Sequence, residues 1–214
     1  MAKETKDTKE KPKKQLKTRK KVTDKWKKKS WFTLIAPAEF ERKVLGETVV
    51  EKPDSLIGKT IKVTARELAN QPKKQHIHLK FKVISYTGNK ADTKIVGHEI
   101  KDSFLKRLVR RRSSKIMSVK TYLSKDKTKF RIKFIIVTEK KVSRKQKASV
   151  QKKTEEIATK IISQIENNKV IDELVFGSIP NKIYPELKPI VPIKRIEITK
   201  STIIKSKWKQ CLKY

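Results

Sequence analysis

Between Gln75 and Tyr86 the chain places Ile77, Leu79, Phe81 and Val83 at every second position, with His76, His78, Lys80 and Lys82 between them. A period of two sends successive side chains to opposite faces of an extended backbone, so this stretch reads as a strand with one face in a core and one in water. The same alternation occurs from Lys59 to Ala65, from Ile116 to Leu123 and from Phe130 to Val137. Thr87-Gly88-Asn89-Lys90 supplies a turn into a third strand running from Thr93 through Val96 to Ile100, which completes a meander. Ser124 to Lys129 joins the later two strands as a hairpin.

Helical spacing interrupts this pattern in a few places. Asp102 is positioned to cap a helix in which Phe104, Leu105, Leu108 and Val109 recur at three and four residues, while Lys106, Arg107, Arg110, Arg111 and Arg112 crowd its other face. From Arg144 to Asn167 a stripe of Val150, Ile157, Ile161 and Ile165 predicts a longer helix closed by Asn167-Asn168, with a basic first third that includes Arg144 and Lys145. A short helix at 172–176 ended by Gly177, another from Pro180 to Leu187 and a strand from Ile193 to Ile198 follow. The resulting division is a basic tail over 1–29, a β-rich body with one basic helix over 30–142, a helical segment with a returning strand over 143–204, and a basic extension over 205–214.

Charge sets the function class. The 57 lysines and arginines face 22 carboxylates, a formal net charge of +35 on 214 residues. Like charges at this density oppose compaction unless counterions or phosphates are near, so the expected partner is a polyanion, and nucleic acid above all. The longest apolar run, Phe134 to Val137, is far short of the ~18–20 residues that span a bilayer, so no membrane association is expected. Met1 is followed by Lys, Glu, Asp and Thr rather than an apolar signal, and the expected location is cytoplasmic. The single cysteine, Cys211, excludes an internal disulfide and any zinc site built on two thiolates, and it reads as an inert thiol.

Beyond Met1, the first 29 residues carry only Leu16, Val22 and Trp26 as large apolar side chains, too few to offset the entropy of ordering. A disordered arm is expected, able to follow a groove in folded RNA. Only ten of the basic residues are arginines and three of these are consecutive, Arg110 to Arg112. Guanidinium groups bind phosphate with paired hydrogen bonds and stack on bases, so these three, with Lys106, Arg107 and Lys115, are candidate RNA contacts. Trp26 with Lys27, Lys28 and Lys29 is a second candidate, since aromatics among lysines can stack on unpaired bases. Trp26 and Trp208 stay open between stacking and packing, and Trp31 is expected in the core.

His76 and His78 share a strand face and His98 is a third histidine, but lysines alternate with the first two and no carboxylate is adjacent, so a surface or RNA-facing pair is favoured over a metal site. Five glycines lack the spacing of a phosphate-binding loop. Glu155 with Glu156, and Asp172 with Glu173, are adjacent on helices and therefore diverge. No catalytic residue and no cofactor are expected. A DNA-compacting protein remains the alternative on charge alone.

Several segments carry a family resemblance: Trp31 through Ala36-Pro37 to Phe40, Gly46-Glu47-Thr48, Leu56-Ile57-Gly58, QHIHLKFKV from Gln75, VGHEI from Val96, FLKRLVRRRSSK from Phe104, ELVFGSI from Glu173 and IVPIKRIEITKS from Ile190. In this order and spacing the chain resembles the v-fos transformation effector, or S-three-A-e, family of small-ribosomal-subunit proteins of archaea and eukaryotes, and its archaeal branch in particular. The resemblance spans about residues 25 to 203 and is most specific from Val96 to Lys115. It departs at Lys101, where an arginine is expected, and at Val191, where a tyrosine is, and no contact is carried over at either. It implies an α+β fold, a barrel-like, mostly antiparallel sheet packed with C-terminal helices. It also implies a non-enzymatic place on the platform of the small subunit, with rRNA near its 3′ end and neighbouring platform proteins as partners and the mRNA exit nearby.

Overall fold

In the computed structural model, which describes residues 25–69, 72–177 and 179–204, the alternating runs become strands as expected. Eight strands make one sheet: β1 (Ser30–Ile35), β2 (Val44–Val50), β3 (Thr60–Thr64), β4 (Ile77–Thr87), β5 (Lys90–Ile100), β6 (Lys115–Leu123), β7 (Lys129–Thr138) and β8 (Ile193–Ile204). In the longest hairpin, β4 and β5 pair from Ile77 opposite Ile100 to Thr87 opposite Lys90, with Gly88 taking the left-handed φ of 58° that closes the turn. Ile77, Leu79, Phe81 and Val83 are all buried, as their period requires.

The architecture turns on how β5 shares its second edge. β4 occupies one edge along nearly the whole strand, whereas the other is divided: Lys90–Asp92 pair with β1 in parallel, and Gly97–Glu99 pair with β8 in antiparallel fashion. The sheet therefore forks, with β1 and β2 forming one wing and β8, β7 and β6 the other. The barrel-like expectation is corrected by this fork. Among the described residues β2, β3 and β6 each pair with one neighbour only, so the sheet stays open. Closure needs an unbroken ring of paired strands, and a strand whose free edge is split between two wings cannot supply it. The sheet is mostly antiparallel, β1 with β5 being the parallel pair. Gly97 sits where the wings meet, and a Cβ there would collide with the carbonyl oxygen of Ser201 on β8, so the close approach of the two backbones needs glycine.

Five helices accompany the sheet among the described residues. They are α1 (Ala65–Ala69), α2 (Asp102–Leu108), α3 (Arg144–Ile162), α4 (Asn167–Val175) and α5 (Ile179–Leu187). α3 packs on β6 and on α5, α5 on β8, and α4 on β5 and β8. The main core forms between these layers from Leu79, Phe81, Phe130, Ile132, Phe134 and Ile136 on the strands and Val150, Ile162, Ile171 and Ile183 on the helices. A second, smaller cluster of Phe32, Leu34, Val50, Leu56, Val83 and Ala91 seals the β1–β2 wing.

Several element boundaries differ from expectation. Lys101, not Asp102, is the N-cap of α2 and offers no side-chain cap; Asp102 is instead the acidic residue of the first turn, where it favours the helix dipole. α3 starts with a capping box in which Ser143 and Gln146 satisfy each other's backbone N–H groups. It ends at Ile162, and Asn167 opens α4 rather than closing α3. The seam of α3 centres on Val150, Thr154, Ile157, Ala158 and Ile162, leaving Ile161 and Ile165 half-buried at its margin. β8 continues to Ile204, six residues beyond the alternation seen in sequence, because β7 and β5 both supply partners there.

Candidate nucleic-acid interface

The arginine cluster lies off the helix that was expected to carry it. α2 ends at Leu108 with Val109 already extended, so only Lys106 and Arg107 are helical, both exposed in its last turn. Arg110, Arg111 and Arg112 form an exposed turn closed by the Ser113 N–H on the Arg110 carbonyl at 3.4 Å and by the Ser113 hydroxyl on the same oxygen at 2.6 Å. Arg112 has φ 67°, a left-handed conformation that costs a non-glycine residue about 1 kcal/mol. An arginine thus stands where glycine would fit with less strain.

A buried polar clamp fixes this turn to the sheet. The Ser114 N–H donates to the Thr138 hydroxyl oxygen at 3.0 Å, the Thr138 N–H donates to the Ser114 carbonyl at 3.0 Å, and the Val142 N–H donates to the Ser114 hydroxyl oxygen at 3.1 Å. Ser114 thereby joins the arginine turn and Lys115, the exposed first residue of β6, to the segment that leads into α3. Arg144 and Lys145, exposed in the first turn of α3, come to the same end of the sheet. No acidic residue occupies that turn, so cations add to the positive pole of the helix, an arrangement that repels itself and attracts anions.

The second basic candidate lies elsewhere. Lys27, Lys28 and Lys29 are exposed just before β1, and Thr33 of β1 hydrogen-bonds the Asn89 carbonyl in the turn at the start of β5. β5, 11 residues and about 33 Å long at ~3.3 Å per residue, runs from that end toward the start of α2. Trp26 is exposed, with the Lys29 ammonium 4.5 Å from its ring centroid, a cation–π contact. Trp31 corrects the expectation of core packing: it is 59% exposed, because Phe32 and Leu34 take the inward phase of β1 and its own phase points out. The tail up to residue 24, Trp208 and Cys211 lie outside the described residues.

The three histidines separate. His76 stacks on Phe104 of α2 with ring centroids 3.8 Å apart, and the Arg195 guanidinium lies 5.4 Å from the same Phe104 ring. His78 is half-buried on the outer sheet face, and burial, then Lys101 and Lys62, push its imidazole below the ordinary range. His98 points into the core, where its Nε2 donates to the Ile198 carbonyl at 2.8 Å and its Nδ1 accepts from the Ser201 hydroxyl at 2.6 Å. Burial lowers its pKa from 6.5 to about 4. Among the described residues no group of three or more His, Cys, Asp or Glu side chains is placed to hold a metal. Glu155 and Glu156 diverge as expected: Glu155 accepts from the Ser118 hydroxyl at 2.9 Å and sits 3.6 Å from the Lys120 ammonium, while Glu156 faces solvent. Asp172 is pushed up to about 6 by burial and by its neighbours Glu39 and Glu173.

The sheet's bare face carries cations that no short motif announces. Lys62, Lys80 and Lys200 surround Glu99, with Lys62 at 3.5 Å, Lys200 at 3.9 Å and Lys80 in hydrogen-bond contact. That contact, foremost among its neighbours' effects, holds the Glu99 carboxyl below the usual carboxylate range. Beside them on β7 stand Lys129, Arg131 and Lys133. Their signal was present in the polar phase of the Phe130–Val137 alternation, which gives the face but not the neighbours. The outcome is a folded body with cations at both ends and across one face.

Comparison with known proteins agrees with the segments quoted above. The family model described as "Ribosomal S3Ae family" matches residues 17–207. The chain is similar to the protein named "Small ribosomal subunit protein eS1" of Methanobrevibacter smithii, 35% identical over 192 residues that cover 88% of this chain and 97% of that one. Proteins of the same name from Saccharolobus islandicus and Saccharolobus solfataricus are 34% and 33% identical over 184 residues, covering 86% of this chain and 88% of theirs. With nearly the whole length matched, arginine turn and fork included, the chain belongs to the Ribosomal S3Ae family.

Proposed function

We propose that this protein is a structural, non-enzymatic constituent of the small ribosomal subunit in the cytoplasm, bound to ribosomal RNA. Its place is the platform, close to the 3′ end of the RNA and to the mRNA exit, with neighbouring platform proteins as its other contacts. The observation that carries the reading is the arginine turn, exposed and strained at Arg112, clamped by Ser114 and Thr138 and set beside Arg144 and Lys145 at the N-terminus of α3. Positive groups on a rigid frame select a polyanion of matching shape. A-form RNA hides its base edges in a deep groove, so phosphates and 2′-hydroxyls supply most of the contacts.

Two measurements test this. In a lysate fractionated on a sucrose gradient the protein is expected to travel with the small subunit, and migration at the top of the gradient sinks the proposal. With purified protein and small-subunit rRNA, log affinity should fall with log salt by about 0.7 to 0.9 per phosphate neutralised. Duplex DNA competing as well as the rRNA would favour the DNA-compacting alternative instead.

A further inference from the structure

The fork in the sheet leaves a cleft. β8 pairs with β7 from Ile193 to Ile204 but with β5 only over Lys200–Thr202, so below that point, among the described residues, the edge of β8 has no strand beside it. α4 and α5 roof the gap, His98 closes its inner end by donating to the Ile198 carbonyl, and the space that remains is about 500 Å³. That volume falls within the range of ordinary small-ligand sites, about 300 to 1,000 Å³.

The walls have two chemical characters. One is aromatic: Tyr184 on α5 is 38% exposed, and Phe176 follows α4. The other is cationic: among the described lining residues Lys74, Lys194 and Arg195 stand with the carboxylate of Glu197, which Arg195 Nε already engages at 2.6 Å. Lys74 is held in place by donating to the Val175 carbonyl at 2.9 Å, with its ammonium 4.7 Å from the Phe176 ring. An ammonium has three protons to donate, and one is used here. Aromatic surface next to surplus positive charge, in a concavity too narrow for a duplex, matches one unpaired nucleotide: a base to stack and a phosphate to neutralise.

Resting on the reading of the protein as an rRNA binder, we propose that this cleft takes a single splayed-out nucleotide of the RNA. Its base lies against Tyr184 and Phe176 and its phosphate against Lys194 and Arg195. The arginine turn then grips the duplex backbone while the cleft requires a single-stranded element, and the two sites make separable contributions.

The experiment measures fluorescence anisotropy of the full chain with two probes at one salt concentration, a mixed-sequence single-stranded RNA 10-mer and an RNA duplex of the same length. Tyr184→Ala and Lys194→Ala should each weaken binding of the single strand by about tenfold and leave the duplex within about twofold. Both residues lie at the surface, and an unchanged thermal transition confirms that the variants fold. As a second readout, single-stranded RNA bearing 4-thiouridine should crosslink to the peptide containing Tyr184 in the wild type. Equal losses on both probes, or no loss and no crosslink, overturn the cleft as a nucleotide site while wild-type RNA binding leaves the proposed function standing. A wild type that binds neither probe overturns both.

Discussion

On β7, Phe130, Ile132, Phe134 and Ile136 face the helices and are sealed from water, while Arg131 and Lys133 occupy the alternate phase on the bare face. The same strand therefore serves two regions with opposite physics. Under the helices, close packing of apolar side chains supplies stability, and each buried atom matters through contact and cavity terms. On the bare face and at the arginine turn, like charges lie within reach of one another, exposed ion pairs add little, and the net repulsion lowers stability in the absence of an anion. Glu99 illustrates the imbalance: it is one carboxylate among three lysines. Stability and the proposed RNA binding thus fall to different faces, and substitutions should separate them.

The largest effect is expected inside. Phe134→Ala removes a fully buried ring packed edge-on against Tyr122, and should lower unfolding free energy in a urea titration by about 4 kcal/mol while leaving the salt dependence of RNA binding unchanged. A changed salt slope would break the separation of the two regions.

Next comes acid sensitivity of the core. His98 is buried and neutral, with its pKa lowered from 6.5 to about 4. The unfolded chain takes up the proton first, so this group's contribution is complete above pH 6.5 and is lost as pH falls toward 4, a difference of about 3 kcal/mol. Asp172, raised to about 6, acts in the opposite sense over much of this window, since its folded form keeps a proton that the unfolded form has released. Comparing wild type with His98→Gln isolates the histidine: the stability gap between the two proteins should shift by about 3 kcal/mol in favour of the variant between pH 7 and pH 4. A pH-independent gap would show that His98 is not held neutral.

Outside, the signs reverse. Replacing Arg110, Arg111 and Arg112 together with Ala should change stability by no more than about 0.5 kcal/mol, because all three are exposed. The same change should reduce the log–log salt slope of rRNA binding by about 2. An unaltered slope would remove the arginine turn from the interface. The smallest and sharpest case is Arg112→Gly. At φ 67° glycine relieves the left-handed strain, so thermal stability should rise by about 0.5 to 1 kcal/mol while RNA affinity falls. A loss of stability would mean that the Arg112 side chain contributes to the fold rather than to binding.

Much of this was legible in the chain, unevenly. β4, β6 and β7 were readable because a buried and a solvated phase alternate over part of each, Ile77–Val83 on β4, Lys115–Val119 on β6 and Lys129–Phe134 on β7. β2 was not, since Gly46 takes φ 144° and the strand lies at an edge where few of its side chains are fully buried. The arginines were expected on a helix, because three- and four-residue spacing continues through Val109 while the backbone does not. Trp31 was misassigned for want of a strand there: apolar content suggested the core, and only the phase of β1 shows that it points outward.

By itself the sequence determined the excess of positive charge, the period-two strands, the family and the position of the basic residues along the chain. All of these are local or additive properties, and they survive without knowledge of which segments meet. Only the tertiary structure decided that β5 divides its edge between two wings, that Ser114 ties the arginine turn to α3, and that Lys74, Tyr184 and Arg195 surround one cleft. Those bring together residues about 10 to 120 positions apart. They are fixed by which apolar faces can be buried together and which backbone groups remain to be hydrogen-bonded, a global balance that no short window of residues encodes.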